Sequence, residues 1–467
     1  VLSSTYAYPA ASVIRSARFG LPRDLSFLSE TEAPRDALLA AARRAADLGV
    51  APHHQAIAEG SIRADDYAAQ LARRFGLGVL GPHLRLVGGQ DVALVMRSRV
   101  ARVVTAHGEE GVLIGLDPAH VATILDGLPR GSASRIHVGA LAAFEAFVIA
   151  QDPAGVDAAI TKPQTPYTTL HSAERTLNTW QAAVYAATLV MIGEALAFGA
   201  MGPLVVFLWA CSAVVAVSIA EQAMAILSRR RPETPVPGIE APPRYTILAP
   251  LYREGAVVGK LVAALDRLDY PRSRLEVILL VEAGDRETIA AIEAFPLPAH
   301  MRTLISPAGR LRTKPRALNL GLLAATGEHL VVYDAEDDPD PDQLRIAAAR
   351  FAAAPARVAC LQARLQIENP DDGLVPALFA IDYAGLFSVH KPGCAAARQP
   401  VPLGGTSNHF RATVLRELGG WDASNVTEDA ELGLRLFAHG LDVETIESIT
   451  WEEAPLTPSA WFRQRRR

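Results

Sequence analysis

Cysteine is scarce in this chain: its 467 residues hold three, Cys211, Cys360 and Cys394, widely separated and with no C-x-x-C pair. That pattern excludes a disulfide framework, offers no zinc-site spacing and fits a reducing compartment. A basic surplus is missing too, because the formal net charge is −5. Arg463, Arg465, Arg466 and Arg467 form only a local cluster, so nucleic-acid binding is not expected. No charged-then-apolar leader opens the sequence: Val1 to Phe19 mix Ser, Tyr, Pro and Arg, and residues 1–30 read as a poorly ordered tail. The length allows roughly three domains.

What the chain does have is a long apolar run. From Ala182 to Leu227 only Glu194 and Glu221 carry charge. One membrane span needs about 20 apolar residues, so residues 179–227 predict two helices reversing near Gly199-Ala200-Met201-Gly202-Pro203. Lys162 and Arg175 precede the run and Arg229-Arg230-Arg231 follow it, which places both flanks in the cytoplasm by the positive-inside rule. One long tilted helix, with the soluble parts on opposite faces, is the competing reading. Residues 228–244 hold Pro232, Pro235, Pro237, Pro242 and Pro243 among charges and read as an extended linker.

Before the apolar run, residues 31–165 predict a small α/β module. Helices are expected over Arg35 to Leu48, His53 to Glu59 and Ala64 to Phe75, stopped by Gly49, Gly60 and Gly76. Strands are expected over Val100 to Val104 and Gly111 to Leu116, and helices from Asp117-Pro118 and over Val138 to Ile149. The pattern Leu48-Gly49, Gly60-Ser61-Ile62, Tyr67, Leu71-Ala72 and Phe75-Gly76-Leu77 resembles the N-terminal domain of type II secretion ATPases. Some relatives of that domain bind cyclic di-GMP through a repeated Arg-Leu-Gly motif. No such repeat occurs here, and a structural role or docking of a protein partner is the expectation.

Residues 245–467 alternate strands and helices: Tyr245 to Pro250, Ala256 to Arg267, Leu275 to Val281, Arg286 to Ala294, Arg302 to Ile305, Pro315 to Ala325, and a strand ending at Asp334. Such alternation predicts a largely parallel sheet with ligands beyond the carboxyl ends of its strands. Three of those ends carry acids: Tyr252-Arg253-Glu254, Glu282-Ala283-Gly284-Asp285 and Asp334-Ala335-Glu336-Asp337. Alone, Asp334 and Glu336 read first as an acidic surface turn. Together with the other ends they suit a hard divalent cation such as Mg²⁺ or Mn²⁺.

These motifs resemble family 2 glycosyltransferases with the GT-A fold, the group of cellulose, chitin and hyaluronan synthases. The resemblance implies an α/β mixed sheet that binds a nucleotide-sugar, and it assigns roles residue by residue. Pro250-Leu251-Tyr252-Arg253-Glu254 matches the nucleotide-binding entry, which makes Tyr252 and Glu254 candidates. Glu282 stands where an aspartate usually contacts uracil. Lys314-Pro315-Arg316-Ala317-Leu318-Asn319 matches the segment that reaches the diphosphate, so Lys314 and Asn319 are candidates with Asp334. Asp334 and Glu336 match the D-x-D metal pair. Thr427-Glu428-Asp429 matches T-E-D, making Asp429 the expected general base, although Thr427 also reads as a plain helix N-cap. Gln464-Arg465-Arg466-Arg467 matches the start of Q-x-x-R-W, which would put Gln464 and Arg467 on the diphosphate and acceptor side, and the chain reads as a fragment with further membrane helices after it. Gly404 to Asn408 and Gly419-Gly420-Trp421-Asp422 match loops lining the acceptor.

The expectation is thus an inverting hexosyltransferase in a bacterial inner membrane, multi-pass, with both soluble parts cytoplasmic. It would pass a sugar from a UDP-sugar to a growing saccharide in polysaccharide synthesis. Two alternatives stay open: loading of a sugar onto a lipid phosphate, and a nucleotide-responsive receptor or scaffold with a degenerate transferase domain.

Overall fold

The computed structural model describes residues 20–28, 33–128, 133–161, 172–173, 179–199, 201–228, 239 and 241–465. The first unit runs α1 (Arg35–Leu48), α2 (Pro52–Ala58), α3 (Ala64–Phe75), β1 (Gly78–Val79), β2 (Leu84–Leu86), α4 (Val92–Ser98), β3 (Val100–Thr105), β4 (Glu110–Leu116), α5 (Pro118–Asp126), β5 (Ile136–Ala140), α6 (Leu141–Gln151) and α7 (Pro153–Thr161). Its five strands order as β1-β5-β4-β3-β2. Gly49 and Gly76 end α1 and α3 in the left-handed conformation, as a helix stop requires.

Two expectations for this unit are corrected. Val138 to Ala140 is not helical: it belongs to β5, which pairs in parallel with both β1 and β4. A short apolar run has no periodicity to separate a buried strand from a helix, and only Leu141 onward coils. The tail also ends earlier than residue 30. Asp24 and Leu25 are fully buried, with Asp24 Oδ2 2.8 Å from His53 Nδ1 and the Asp24 carbonyl accepting from Tyr67 Oη at 2.9 Å. Residues 1–19 lie outside the described residues, as does most of the proline-rich linker.

Helices α8 (Thr179–Phe198) and α9 (Met201–Leu227) follow. Both contain stretches long and apolar enough to cross a membrane, Thr179–Ala197 and Leu204–Leu227. Their large side chains, among them Trp180, Leu189, Leu196, Trp209 and Ile219, are exposed, so these helices are not core helices of a soluble domain. The last turn of α9 is closely packed: a Cβ on Gly393 would lie 2.0 Å from the Ala225 carbonyl oxygen.

The second unit contains β6 (Tyr245–Leu251), α10 (Val258–Asp266), β7 (Leu275–Glu282), α11 (Arg286–Glu293), β8 (Met301–Ser306), α12 (Lys314–Ala324), β9 (His329–Val332), β10 (Asp338–Pro339), α13 (Gln343–Ala353), β11 (Val358–Ile367), α14 (Leu374–Gly385), α15 (Lys391–Ala396), β12 (Asn408–Arg411), α16 (Ala412–Glu417), α17 (Glu428–Ala438), β13 (Asp442–Glu452) and α18 (Pro458–Arg465). Its eight strands order as β10-β13-β11-β12-β9-β6-β7-β8. The half β9-β6-β7-β8 is parallel, as the alternation predicts. Strand β12 is antiparallel to both β9 and β11, which makes the sheet mixed. Strands β6 and β7 are buried almost throughout because helices cover both faces.

The two units share a core. Phe144, Val148, Val156 and Ile160 of the first pack in one cluster with Leu318, Leu322 and Trp421 of the second. Charge fixes the register of that contact: buried Arg99 donates to Asp117 at 2.6 Å and to Glu276 at 2.5 Å, while Arg302 donates to Glu145 at 2.8 Å. Burial opposes the charge on Glu276, yet Arg99 and Arg302 outweigh it and hold its carboxyl down at about 2. A cavity of about 610 Å³ lies beside this network, at the amino ends of β7 and β8 and away from the acidic strand ends.

Glu276→Ala should therefore lower unfolding stability by about 1–3 kcal/mol, because Arg99 and Arg302 keep Asp117 and Glu145 but each loses its second carboxylate. The folded-state carboxyl titrates below its ordinary 4.5. Its contribution is accordingly complete above pH ~4.5 and lost as pH falls from there through about 2. Denaturant melts of the unaltered chain and the variant should converge over that window.

Candidate active site

Strands β6, β7, β9 and β13 point the same way, so one edge of the sheet collects Tyr252 to Glu254, Glu282, Asp334 and Glu452. The first of these is a strained turn. Arg253 has φ +60°, a conformation that non-glycine residues adopt rarely and hold only when the surroundings enforce it. Asp285 enforces it by accepting from Arg253 N, while its carboxylate also accepts from Thr288 Oγ1 at 2.8 Å, and that hydroxyl receives Glu254 N at 3.0 Å. Tyr252 is left half exposed, with the Arg253 guanidinium 5.3 Å from its ring centre.

The acidic loop is held from behind by Asp337. This residue is buried, and its Oδ2 accepts from Asp334 N at 2.6 Å and from the Thr406 hydroxyl. Ser407, next to Thr406, is another non-glycine residue at positive φ, +57°. Asp337 thus shapes the loop that presents Asp334 and Glu336. Burial raises the Glu336 carboxyl, with Asp334 and Glu254 adding like charge. Burial likewise lifts Glu452 to about 7, reinforced by Asp334 and Glu336.

Two lysines answer these acids. Lys314 opens α12 after the extended Thr313, whose hydroxyl donates to the Ala423 carbonyl at 2.7 Å, with Pro315 suited to a first helical turn. Its Nζ lies 2.7 Å from Asp334 Oδ1 and donates to the Gly405 carbonyl at 2.6 Å. Burial opposes its charge, but Asp334, Asp429 and Glu428 outweigh burial and keep the amine protonated. Lys391 is wholly buried without a carboxylate in its immediate hydrogen-bond set. It sits 3.8 Å from the Phe387 ring centre and donates to Gln362 Oε1 at 3.3 Å. Burial brings its amine down to about 7 against the opposing charges of Asp429, Cys360 and Glu452.

Asp429 lies in the field of both lysines, in the first turn of α17, and is buried. Burial pushes its carboxyl well up; Lys314 opposes this, and Glu428 and Asp334 add to it. Its Oδ1 has no close hydrogen-bond partner among the described residues. Thr427 occupies the N-cap position but makes no cap bond, since its hydroxyl turns back to Asn425 Oδ1 at 3.1 Å. The plain-cap reading of Thr427 is thus not what the structure holds.

Of the expected site residues, Tyr252, Glu254, Glu282, Lys314, Asp334, Glu336 and Asp429 gather at this edge. Asn319 does not. Its amide donates to the carbonyls of Ile160 (2.9 Å) and Trp421 (2.8 Å), and its Oδ1 accepts from Trp421 N at 2.9 Å. It joins the two units and is spent on backbone. The Gln464 side chain and all of Arg467 fall outside the described residues. Sequence reasoning missed Glu452 and Lys391. The strand-end rule that found Asp334 applies equally to Glu452 at the end of β13, whereas nothing local marks Lys391.

This geometry has counterparts. Residues 242–467 match the family described as glycosyltransferase like family 2. The match takes in the whole second unit, a little under half of the chain. Similar curated proteins include a probable glycosyltransferase, YdaM, of Bacillus subtilis, 25% identical over 228 residues that cover 48% of this chain and 54% of that protein. A beta-monoglucosyldiacylglycerol synthase of Synechocystis is 27% identical over 238 residues, covering 48% and 47%. Glucomannan 4-beta-mannosyltransferase 1 of Oryza sativa is 25% identical over 233 residues, covering 45% and 44%. The chain spans about half the length of these relatives. Among solved structures, the mannosyltransferase PcManGT of Pyrobaculum calidifontis, in complex with GDP-Man and Mn²⁺, aligns at TM-score 0.42 with 22% identity over 54% of this chain and 71% of that one.

Within the second unit, Lys391 is a charge kept at a cost. Its folded amine titrates near 7 in place of the ordinary 10.5, so the unfolded chain binds more protons between those values and stability rises with pH there. Lys391→Met should accordingly be more stable than the unaltered chain at pH 7, by about 1–4 kcal/mol. That advantage should shrink as pH climbs toward 10.5, as read by thermal melts across pH.

Proposed function

We propose that this protein is a membrane-anchored, inverting hexosyltransferase that moves a sugar from a nucleotide-diphosphate donor to a saccharide acceptor. The observation that carries the reading is the meeting of Asp334, Glu336, Lys314 and Asp429 at one sheet edge within a glycosyltransferase-like domain. Tyr252, Glu254 and Glu282 would receive the nucleoside. Lys314 would neutralise part of the leaving diphosphate. Asp429, with an unpartnered oxygen, would accept the proton of the attacking hydroxyl as the new bond forms, a task that needs a carboxylate within hydrogen-bond reach. Bond making and bond breaking are then one displacement with no covalent intermediate.

Among the described residues no three His, Cys, Asp or Glu side chains converge on one ion position. The residues nevertheless fit Mg²⁺ or Mn²⁺: such ions take one or two carboxylates and complete their shell with phosphate and water oxygens, and the like-charge crowding that raises Glu336 and Glu452 favours a cation. Asp334 and Glu336 would hold it, and it would withdraw charge from the diphosphate.

Membrane anchoring is supported by the exposed apolar helices α8 and α9. Because the two soluble units share a core, a chain that leaves one and returns to the other crosses an even number of times. That favours the hairpin over a single tilted helix, with both units on the cytoplasmic side of an inner membrane. A UDP donor and a role in surface polysaccharide synthesis belong to the same reading. A lipid-borne acceptor is the second reading: α14 presents Leu374, Leu378 and Ile381, all strongly exposed on one helical stripe, and one relative is named for a glucosyldiacylglycerol product. The degenerate-scaffold reading is disfavoured by the convergence of Lys314, Asp334 and Asp429.

Nucleoside-diphosphate release by the full chain in membranes, measured over a panel of UDP- and GDP-sugars with saccharide or lipid acceptors, tests the function. Asp429→Asn should lower turnover by about 10²–10⁴-fold; release equal in the unaltered chain and this variant would sink the enzyme reading. Asp337→Ala should weaken Mn²⁺ binding by about 10–100-fold, because the loop that presents Asp334 loses its anchor. Asp338→Ala, at a surface pair with Arg267, should leave calorimetric Mn²⁺ affinity unchanged.

A further inference from the structure

We infer that the N-terminal unit completes the nucleobase end of the donor site, with Asp157 on α7 acting as a positioning residue for Glu282 through Arg316. The inference rests on the donor-site reading above, in which Glu282 meets the base.

Arg316 follows Lys314 by two residues in α12 and is fully buried. Its Nη1 donates to Ser306 Oγ at 3.0 Å, and its Nη2 donates to the Pro307 carbonyl and to Asp157 Oδ1, each at 2.9 Å. Glu282 Oε1 stands 3.7 Å from Nη1, past a direct hydrogen bond, and that buried oxygen has no hydrogen-bond partner among the described residues. Two carboxylates therefore address one buried cation. The nearer comes from a different unit of the chain.

The arrangement is fixed on every side. Val156 and Ile160, flanking Asp157 on α7, are fully buried in the shared core. Asn319 ties the Ile160 carbonyl to α12 at 2.9 Å, so α7 cannot slide past the arginine. Gly309 closes the loop over the pair: a Cβ there would lie 2.4 Å from Arg316 Nη2 and 3.0 Å from Asp157 Oδ1. Only glycine lets that loop approach.

The consequence follows from the chemistry of arginine, which keeps its charge at any working pH. While Asp157 holds one edge of the guanidinium, Glu282 is not drawn into a short ion pair, and its carboxylate keeps the position from which it would meet a ring N–H, a donor that uracil and guanine both present. With the Asp157 charge removed, the arginine needs another anion in a buried site. Glu282 is the one at hand, and a shorter ion pair there draws its carboxylate off the position from which it would meet the base. A mere staple between units would behave differently, since its loss would weaken every ligand alike.

Calorimetric titration of the full chain in detergent with UDP, GDP and pyrophosphate, at constant Mn²⁺, separates these cases. Asp157→Asn should weaken the nucleoside diphosphate that the unaltered chain binds by about tenfold, the worth of one hydrogen bond to a charged group. Pyrophosphate affinity should stay within about twofold, and Asp157→Glu should recover most of the loss. Undiminished nucleotide binding by Asp157→Asn, or parallel losses of nucleotide and pyrophosphate, would overturn the inference while leaving the transferase reading intact. Failure of the unaltered chain to bind either nucleotide would overturn both.

Discussion

Crowded negative charge is the constraint around which this protein is organised. Glu254, Asp334, Glu336, Asp337, Glu428, Asp429 and Glu452 are brought to one edge of one sheet, and the carboxyls of Glu254, Glu336, Asp337, Glu428, Asp429 and Glu452 are all raised, with burial the first cause in each case. A fold tolerates that only by supplying cations of its own and by satisfying the acids' oxygens with donors. Lys314 supplies the charge, with Lys391 adding its own below about pH 7; the Asp334 amide and the Thr406 hydroxyl satisfy Asp337. The site is therefore poised, with more acid than base, for a ligand that brings positive charge or that turns over a proton.

Compensation on this scale reaches well past the site. Gln362 receives Lys391 and the Gly404 amide on one oxygen and spends its amide on the carbonyls of Ala363 and Thr406. The loop whose Gly405 carbonyl holds Lys314 is thereby tied to the strand that carries Gln362. Lys391 in turn begins the helix whose Gly393 touches the end of α9. One run of contacts thus links an apolar, exposed helix to the environment of the candidate base.

Much of this was legible before any coordinates. Regular alternation after residue 245 marks the parallel half-sheet because β6 and β7 are buried on both faces and read as continuous apolar runs, and acids that end such strands can only sit at the carboxyl edge. Glycine stops placed α1 and α3 to the residue. What stayed hidden had no local signal. Strand β5 is short, apolar and followed directly by a helix. Asn319 sits in a motif that suggests a ligand, yet its amide is consumed by Ile160, 159 positions away. The antiparallel insertion of β12 depends on pairing across the sheet, which no window of sequence contains. The shared core of the two units is of the same kind: each looks like a self-sufficient domain until the partner face is seen.

That shared core also sets an order of events during synthesis. Residues 141–161 emerge with Phe144, Val148, Val156 and Ile160 covered only from the side of Leu84, Val95, Met96 and Leu113, and the surface that completes their burial is not made until Leu318, Leu322 and finally Trp421 have been translated. Between the two come α8 and α9, the most apolar part of the chain. A ribosome must therefore deliver those helices to their destination while the first unit still waits with an uncovered apolar face, a state that aggregates readily. The N-terminal unit would on this account finish folding only after Trp421 has been made, long after its own last residue.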